Sequence, residues 1–282
     1  MLIGDIVGVP VGDLFMGAVL PGMVLVGLFV LYILLIAILK PEYAPAIPRA
    51  ELAAISPKQM TLRVMKALVP PLALMLFVLG SIFAGIASPT EAAAVGAVGA
   101  TALTITNRKF NLTILRQVMQ TTVRLTCMVF IILCGAAAFG LVFRGLGGDG
   151  LVREFLGGLA AKYSHNVVLA IVMGLIFCIG FFLDFIEITF IHVPVLAPIM
   201  IDFGYDPLWF CVLIAVNLQT SFLTPPFGFS LFYLKAVTPP EITTGHIYRG
   251  IIPFVLFQLI GLLIIVFFPK LATWLPHVIF GS

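Results

Sequence analysis

Charged residues are scarce in this sequence: Asp, Glu, Lys and Arg together account for 10% of its 282 positions. Water-soluble domains carry about 25% charged residues, and the mean hydropathy of +1.22 excludes that class of protein. The net charge is only +3, and the basic residues lie in loops between apolar segments. We therefore predict no nucleic-acid partner, because such binding needs concentrated positive charge.

Cysteine and the common catalytic motifs are also scarce. The sequence contains no Walker motif, no HExxH motif and no nucleophile elbow, which argues against an ATP-driven pump and against intramembrane hydrolysis. We predict that the protein is not an enzyme and has no cofactor. The cysteines lie within apolar segments without metal-ligand spacing, and we interpret them as buried free thiols. They are Cys127, Cys134, Cys178 and Cys211.

Long apolar runs are what the sequence has in abundance. Several reach the roughly 20 residues that an α-helix needs to cross a bilayer. The fold class is therefore predicted to be all-α, a polytopic membrane protein embedded in the lipid bilayer. The regular spans are predicted at 14–39, 66–87, 89–105 and 123–143, and the last helix at 251–274 with its apolar span at 251–268.

The segments between these spans carry local structural signals. Ser88 and Glu91 form a capping-box pattern with Pro89 at the first helical position, which predicts that the third helix starts there. Residues 107–124 are basic and amphipathic, and we expect them to lie at the membrane interface before the fourth span. Loops are predicted at 40–65 and 145–166.

Basic residues are distributed unevenly between the two sides of this arrangement. The positive-inside rule makes the side richer in Lys and Arg cytoplasmic. The loops of that side are 40–66, 108–124 and 235–249, whereas the opposite loops hold only Arg144, Arg153, Lys162 and Lys270.

The segment from Asn217 to Ser230 cannot form a regular membrane helix, although apolar sequence flanks it on both sides. Pro225 and Pro226 lack an N–H and push the residues before them away from helical angles. Thr224 is a good N-cap and Pro225 a good first helical residue, so we predict that a new half-helix starts there. The break is either a kink that only shapes packing or a binding site. The Asn, Gln, Thr and Ser residues around it favour a site.

Residues 167–202 contain two apolar legs separated by Asp184-Phe185-Ile186-Glu187. The second leg is only about 16 residues, or roughly 24 Å of helix. Two readings compete: two full spans joined by a turn, or a re-entrant hairpin whose tip stops inside the membrane. We favour the hairpin, because its tip carries no Lys or Arg. Asp184 either caps the second leg, with Glu187 at the third helical position, or serves a cation.

If the hairpin tip and the helix break both lie near the bilayer midplane, two half-helix N-termini and freed carbonyls meet there. Helix N-termini favour a carboxylate ligand, and oxygen atoms beside them favour Na⁺. The candidate substrate-binding residues are Thr189, Thr224, Pro225, Pro226 and Gly228. The candidate Na⁺ ligands are Asp184, Asn217, Thr220, Ser221 and Thr224.

Several groups of residues along the chain carry a resemblance to one family. They are Gly12-Asp13-Leu14-Phe15 with Leu20-Pro21-Gly22, Gly85 to Ala93, Asp184 to Pro198, Thr224 to Gly228, and Ile247-Tyr248-Arg249-Gly250 with Pro253-Phe254. On these residues the sequence resembles the large membrane subunit of tripartite ATP-independent periplasmic (TRAP) transporters, in particular the mannitol/chloroaromatic-compound-type group.

The resemblance implies an elevator-type transporter with two inverted repeats, each containing a hairpin and a broken helix. This chain matches the C-terminal half of such a subunit. Residues 1–40 correspond to the tail of the first repeat and a transmembrane helix, 41–65 to a cytoplasmic loop, and 66–282 to the second repeat. Within that repeat the scaffold helices are 66–143, the hairpin 167–202, the broken helix 207–237 and the last helix 251–274.

The implied function is Na⁺-coupled symport of organic acid anions, such as dicarboxylates, across the bacterial inner membrane. The implied partners are a periplasmic substrate-binding protein, a small membrane subunit and the N-terminal half of the large subunit. We expect this polypeptide alone not to transport, because inverted-repeat transporters form their site between two halves. The alternative is a non-transporting remnant that only binds its neighbours, and the upstream genomic sequence would discriminate between the two.

Overall fold

The computed structural model of the protein describes residues 2–43, 56–225, 228–239 and 241–281. Within these residues the regular elements are α-helices, a 3₁₀ turn at Pro41–Tyr43 and one π-helical segment, and no strand is present. Among the described residues, five helices are long and apolar enough to cross a membrane. The prediction of an all-α polytopic membrane protein is therefore confirmed.

The helices follow one another along the described chain with short connections. They are α1 (Leu2–Val7), α2 (Val11–Leu39), α3 (Pro57–Phe83), α4 (Pro89–Thr106), α5 (Leu112–Gly145), α6 (Gly148–Lys162), α7 (His165–Ile179), α8 (Phe185–Glu187), the π-helical segment (Ile188–His192), α9 (Val193–Asp202), α10 (Pro207–Leu223), α11 (Phe229–Val237), α12 (Thr244–Phe267) and α13 (Lys270–Phe280).

The chain divides into two compact units, and the smaller one is Leu31–Thr126. In this unit α3 and α4 pack side by side. The predicted capping box is confirmed: the Ser88 hydroxyl accepts from the Glu91 N–H, and the Glu91 carboxylate accepts from the Ser88 N–H at 2.8 Å. A glycine makes the close packing possible, because a Cβ added at Gly99 would lie 2.3 Å from Leu74 Cδ1.

The larger unit comprises Met1–Val30 and Cys127–Ser282, and α10 lies at its centre. This helix packs against α1, α7, α9, α12 and α13. Apart from Ala215 and Gln219, which are exposed, the middle of α10 is covered by these neighbours, which is typical of a helix in the core of a large or membrane-embedded protein. Its buried residues are Trp209, Phe210, Cys211, Val212, Leu213, Ile214, Val216, Asn217, Leu218, Thr220 and Ser221.

Direct contacts fix α10 against α12, and α12 against α2. The Trp209 indole Nε1, in a side chain that is only 3% exposed, donates to the carbonyl of Ile265 at 2.9 Å. On the other side of α12, a Cβ added at Gly261 would lie 2.3 Å from Leu25 Cδ2. Within the larger unit, α12 therefore packs between α2 and α10.

The predicted loop at 145–166 is wrong, because α6 occupies Gly148–Lys162. Apolar residues recur there at helical spacing, and Leu156 is buried in the core beside α7. Gly147 starts the helix from a left-handed conformation with φ of +77°, which favours glycine. The apolar residues at helical spacing after Gly147 therefore indicate a helix. The loop prediction relied on the glycines alone.

Two further boundaries differ from prediction in the first half of the chain. Most of the interfacial segment 107–124 and the whole fourth span 123–143 form one helix, α5, which starts at Leu112 and contains no proline. The predicted loop 41–65 is shorter than expected, because α3 already begins at Pro57, a favoured first helical residue. Residues 44–55 of that loop lie outside the described residues.

The last helix, predicted over 251–274, is two helices. Pro269 pushes Phe268 out of helical angles, to φ of −124° and ψ of 71°, so that α12 ends at Phe267 and α13 begins at Lys270. The prediction of buried cysteines is correct for Cys211 and wrong for the other three, whose side chains lie on outward faces of their helices. Those three are Cys127, Cys134 and Cys178.

Candidate functional site

The helix break lies where the prolines predict it, but the second half-helix starts later than predicted. Thr224 ends α10 with extended angles, and its N–H donates back to the carbonyl of Ser221 at 3.0 Å. Thr224 is therefore the C-cap of α10, and the prediction that it is the N-cap of a new helix is wrong. The new helix, α11, starts at Phe229 after Gly228, whose φ is +29°. Glycine adopts a positive φ of this kind readily. Gly228 therefore allows the chain to turn into α11 at that point.

The hairpin tip is a short turn between α7 and α8. α7 ends at Ile179 with Gly180 as its C-cap, and Asp184 is the N-cap of the second leg. The Asp184 carboxylate accepts from the Phe185 N–H at 2.7 Å, so the predicted capping role of this residue is confirmed. Glu187 follows within the first turn and is partly buried. The second leg then continues as one apolar helix from Phe185 to Asp202.

The hairpin tip and the helix break meet. A Cβ added at Gly180 would lie 2.6 Å from the Cβ of Ser221 and 2.7 Å from its Oγ, so the turn rests directly on the end of α10. The Phe185 and Phe222 rings make an edge contact with centroids 6.4 Å apart. On the other side, a Cβ added at Gly228 would lie 3.3 Å from the carbonyl oxygen of Phe222. The N-termini of α8 and α11 therefore both lie beside Phe222.

Polar side chains line the last two turns of α10. Three hydroxyls each donate to the carbonyl four residues earlier: Thr220 to Val216 at 2.9 Å, Ser221 to Asn217 at 3.1 Å and Thr224 to Thr220 at 2.8 Å. A hydroxyl that donates its hydrogen keeps acceptor lone pairs. These oxygens are therefore compatible with a cation as an additional partner.

The Asn217 side chain ties α10 to the first leg of the hairpin. It is 1% exposed, and its Nδ2 donates to the carbonyl of Met173 on α7 at 2.8 Å. The amide oxygen stays available as an acceptor. A buried amide with this geometry positions the hairpin against the broken helix and also offers one oxygen ligand.

Gln258 belongs to this polar group and was missed by the sequence analysis. It is fully buried on α12, and its Oε1 lies 2.8 Å from the Thr220 hydroxyl, while its Nε2 has no partner among the described residues. One signal could have revealed it: a lone amide within the apolar span 251–268 is costly in a membrane, and such residues are functional candidates.

Thr189 and His192 lie in the π-helical segment of the second leg. Thr189 is fully buried, and neither its hydroxyl nor the His192 Nδ1 has a hydrogen-bond partner within the described residues. Single-turn π segments inside α-helices are frequent at functional sites. Thr189, a predicted substrate-binding residue, therefore has an unused donor and acceptor.

The structure brings most of the predicted site residues to one region of the larger unit. Asn217, Thr220, Ser221 and Thr224 share the end of α10, and Asp184 lies at the hairpin tip that rests on it. Pro225 follows in the turn, Gly228 caps α11, and Pro226 lies outside the described residues. In the described part of the chain no group of three His, Cys, Asp or Glu residues is placed to hold a metal ion. The oxygens gathered here are hydroxyl, amide and backbone oxygens, which suit hard cations.

Comparison with known proteins identifies the family of the chain. The family model described as "Tripartite ATP-independent periplasmic transporter, DctM component" matches residues 1–271. The chain belongs to this family. The expected TRAP large permease is thereby confirmed, whereas the mannitol/chloroaromatic-compound-type group and the restriction to a C-terminal half stay predictions.

Individual TRAP permeases resemble the chain over most of its length. It is 30% identical over 274 residues to the C4-dicarboxylate TRAP transporter large permease protein DctM of Pseudomonas aeruginosa, covering 95% of this chain and 60% of that protein. It is 28% identical over 284 residues to the ectoine/5-hydroxyectoine TRAP transporter large permease protein UehC of Ruegeria pomeroyi, covering 100% of this chain and 63% of that protein.

A third relative is the sialic acid TRAP transporter permease protein SiaT of Haemophilus influenzae, which is 29% identical over 210 residues, or 72% of this chain and 33% of that protein. The chain thus spans between one third and two thirds of the length of these relatives. The three relatives are named for three different substrates, so family membership leaves the substrate open.

Proposed function

We propose that this TRAP family chain forms part of a membrane permease that imports organic acid anions by symport with Na⁺ in the bacterial inner membrane. The observation that carries the proposal is the meeting of the hairpin tip with the helix break, where Gly180 touches Ser221 and Phe185 touches Phe222. Secondary transporters place their substrate and ion sites where discontinuous membrane helices of this kind meet.

The anion part of the proposal rests on the two helix N-termini beside Phe222. The N-terminus of an α-helix carries roughly half a positive charge and exposes unpaired N–H groups. The second leg of the hairpin starts at Phe185 and α11 at Phe229. An organic acid carboxylate bound between them would receive hydrogen bonds from N–H groups other than that of Phe185, which Asp184 already holds, and Thr189 offers a hydroxyl one turn away.

The cation part rests on the oxygens at the end of α10. Asn217, Thr220, Ser221 and Thr224 each keep acceptor lone pairs after their internal hydrogen bonds are made. The Asp184 carboxylate, in its capping position, would add a negative charge close to the same region. Na⁺ prefers such hard oxygen ligands, and its charge would offset that of the carboxylate substrate.

The partners follow from the family and not from a surface of this chain. We propose a periplasmic binding protein that delivers the anion, a small membrane subunit, and the remaining part of the large subunit. Two of the three relatives described above are named for organic acids, C4-dicarboxylates and sialic acid. An organic acid is therefore the substrate class to test first.

Uptake into proteoliposomes tests the proposal. The chain, the rest of the permease, the small subunit and the binding protein are reconstituted together, and labelled organic acids are supplied with an inward Na⁺ gradient or with K⁺ in its place. We expect uptake only with Na⁺ and with the matching binding protein. Assembly of all components without uptake of any acid would instead support the non-transporting alternative.

A double variant tests the assigned ligands. Asn217→Leu/Thr224→Val removes two proposed oxygens and should raise the Na⁺ concentration needed for half-maximal uptake by about tenfold, since each lost ligand weakens a hard-cation site. The matched control is Thr122→Val, because the exposed Thr122 hydroxyl makes the same type of bond, to Val118 at 2.9 Å. Unchanged Na⁺ dependence in the double variant would remove these side chains from the site.

A further inference from the structure

The smaller unit contains a polar cleft whose lining residues are not among those of the candidate transport site. It lies between the N-terminal half of α3 and the C-terminal end of α4 and has a volume of about 450 Å³. Its lining residues are Lys66, Ala67, Pro70, Pro71, Leu103, Thr104, Asn107 and Lys109.

The cleft follows from the antiparallel packing of α3 and α4. Leu74 meets Gly99, and Val78 meets Gly96, so that each step forward along α3 pairs with a step back along α4. Continuing this register from Leu74 toward the start of α3 brings Lys66 opposite the end of α4. Toward that end, α4 carries larger side chains in place of its glycines. These side chains hold the two helices apart and leave a gap between them.

Two ammonium groups border this gap. Lys66 belongs to α3, and Lys109 follows the end of α4. Neither forms an ion pair with a carboxylate within the described residues, where the sole salt bridge joins Arg153 and Asp202. The cleft therefore presents two positive charges that the described chain leaves without a counter-ion.

The chain turns sharply to bring Lys109 back to the cleft. The Lys109 N–H donates to the carbonyl of Thr104 at 3.0 Å, and the Arg108 N–H donates to that of Ile105 at 2.9 Å. This pair of bonds is the Schellman motif, in which the first residue after the C-cap has a left-handed conformation and is usually glycine. Here it is Arg108, with φ of +54°. The motif occupies carbonyls at the end of α4 and fixes the backbone that carries Lys109 to the cleft.

The two prolines supply hydrogen-bond acceptors to the same cleft. A residue in a helix normally donates its N–H to the carbonyl four positions earlier, and proline has no N–H to give. Pro70 and Pro71 therefore leave the carbonyls of Lys66 and Ala67 without their regular partners, and both of these residues line the cleft. A ligand that suits this cleft has an anionic group for the lysines and hydroxyl donors for the carbonyls.

The position of the cleft in the chain indicates the source of such a ligand. α3 is long and apolar enough to cross a membrane, and its first turns belong to the side that the positive-inside rule makes cytoplasmic. Basic pockets between membrane helices on that side bind the headgroups of anionic lipids. The apolar part of the lining, Leu103 with Pro70 and Pro71, is suited to the glycerol backbone and the first acyl carbons.

We propose that this cleft binds an anionic phospholipid with a hydroxylated headgroup, phosphatidylglycerol. Its phosphate contacts Lys66 and Lys109, and its terminal hydroxyls donate to the carbonyls freed by Pro70 and Pro71. The site is independent of the transport proposal, because it lies wholly within the smaller unit and its test measures lipid binding.

Native mass spectrometry of the purified chain tests the proposal with phosphatidylglycerol, phosphatidic acid and phosphatidylcholine of identical acyl chains. The titrations are performed in about 0.5 M salt, where the Debye length of about 4 Å suppresses attraction to distant surface charge. We expect one phosphatidylglycerol to bind most tightly, phosphatidic acid less tightly and phosphatidylcholine weakest. Equal affinity for all three lipids would overturn the proposal.

Matched variants separate the cleft from general surface charge. Lys66→Gln/Lys109→Gln should weaken phosphatidylglycerol binding by at least about tenfold, since each basic residue near an anionic lipid contributes about fivefold. The control Lys58→Gln/Arg63→Gln removes the same charge from the same end of α3, outside the cleft, and should have little effect. Lys66→Arg/Lys109→Arg keeps the charge and should keep binding. Equal losses in the Gln pair and its control would show attraction to the surface only, contrary to the proposal.

Two further arms test the headgroup chemistry. Pro70→Ala/Pro71→Ala restores the missing N–H groups and should abolish the preference for phosphatidylglycerol over phosphatidic acid, while phosphate binding persists. Inorganic phosphate added at millimolar concentration should not displace the lipid. Displacement by phosphate together with no preference among the lipids would identify a site for the free anion and refute a lipid site.

Discussion

The Thr220 hydroxyl on α10 and the Gln258 amide on α12 lie 2.8 Å apart inside the core of the larger unit. Both side chains are fully buried. A hydroxyl carries one hydrogen, and Thr220 has two acceptors in reach, the carbonyl of Val216 and the Gln258 Oε1. In one amide orientation the Thr220 hydroxyl donates to the Gln258 Oε1. In the flipped orientation the Gln258 Nε2 donates to the Thr220 hydroxyl, which donates to the carbonyl of Val216. The pair can therefore join the two helices in either orientation.

A double-mutant cycle on this pair should reveal a direct coupling between α10 and α12. We expect Thr220→Val and Gln258→Leu to couple by about 0.6 kcal/mol, the average for hydrogen bonds between membrane helices, with an upper limit of about 1.7 kcal/mol. The measurement is reversible unfolding in mixed detergent micelles. As a control, Thr273→Val removes a hydroxyl that bonds within its own helix, to Pro269. The destabilisation by Thr273→Val should simply add to that by Gln258→Leu. If the effects of Thr220→Val and Gln258→Leu were also additive, that result would contradict a direct hydrogen bond between Thr220 and Gln258.

Gly180 is predicted to be intolerant of any side chain. A Cβ at this position would lie 2.6 Å from the Ser221 Cβ, closer than any van der Waals contact. Gly180→Ala should therefore destabilise the protein by about 1–3 kcal/mol, the usual cost of overpacking a core. Gly174→Ala is the control, because nothing lies within 4 Å of its added Cβ and α7 should gain roughly 0.5–1 kcal/mol in stability. Adding Ser221→Gly to the Gly180→Ala variant should recover part of the loss, because the clash is relieved while glycine in α10 itself costs roughly 0.5–1 kcal/mol. A Gly180→Ala protein as stable as wild type would disprove the close approach.

Asp184 is predicted to act both as a helix cap and as a charge near the Na⁺ site. Its carboxylate accepts from the Phe185 N–H at 2.7 Å, and an asparagine can accept the same bond without the charge. Asp184→Asn should keep wild-type stability and weaken the Na⁺ dependence of uptake. Asp184→Ala should also lose about 1 kcal/mol of stability. If Asn behaves as wild type in transport as well, the residue is a cap only.

The re-entrant form of the hairpin is predicted from a tip that carries no Lys or Arg, and a single cysteine tests it. Phe185 is 42% exposed within the chain, so only membrane or a partner can protect it from a reagent. Phe185→Cys is made in a background in which the exposed Cys127, Cys134 and Cys178 are replaced by alanine. We expect protection from a membrane-impermeant thiol reagent added on the cytoplasmic side in at least one transport state. Rapid labelling from that side in every state would show an ordinary loop between two full spans.

The sequence by itself determined the features that depend on one or two neighbouring residues. The prolines at 225 and 226 remove hydrogen-bond donors and favour the end of α10 at Leu223, although the similar pair Pro70 and Pro71 lies inside α3 without ending it. Ser88 and Glu91 close their capping box within a single turn. The all-α membrane fold follows equally directly, because a long apolar run in a bilayer must satisfy its own backbone hydrogen bonds.

Only the tertiary structure decided which of these local features come together. The restart of the helix at Phe229 depends on Gly228, which is packed against Phe222. The stripe of apolar residues in α6 becomes a helix face because the core beside α7 buries Leu156. Gln258 joins the site because α12 places it opposite Thr220, 38 positions earlier in the chain. Contacts between distant segments depend on how whole helices pack, and no local pattern of hydrogen-bond donors or apolar spacing encodes that arrangement.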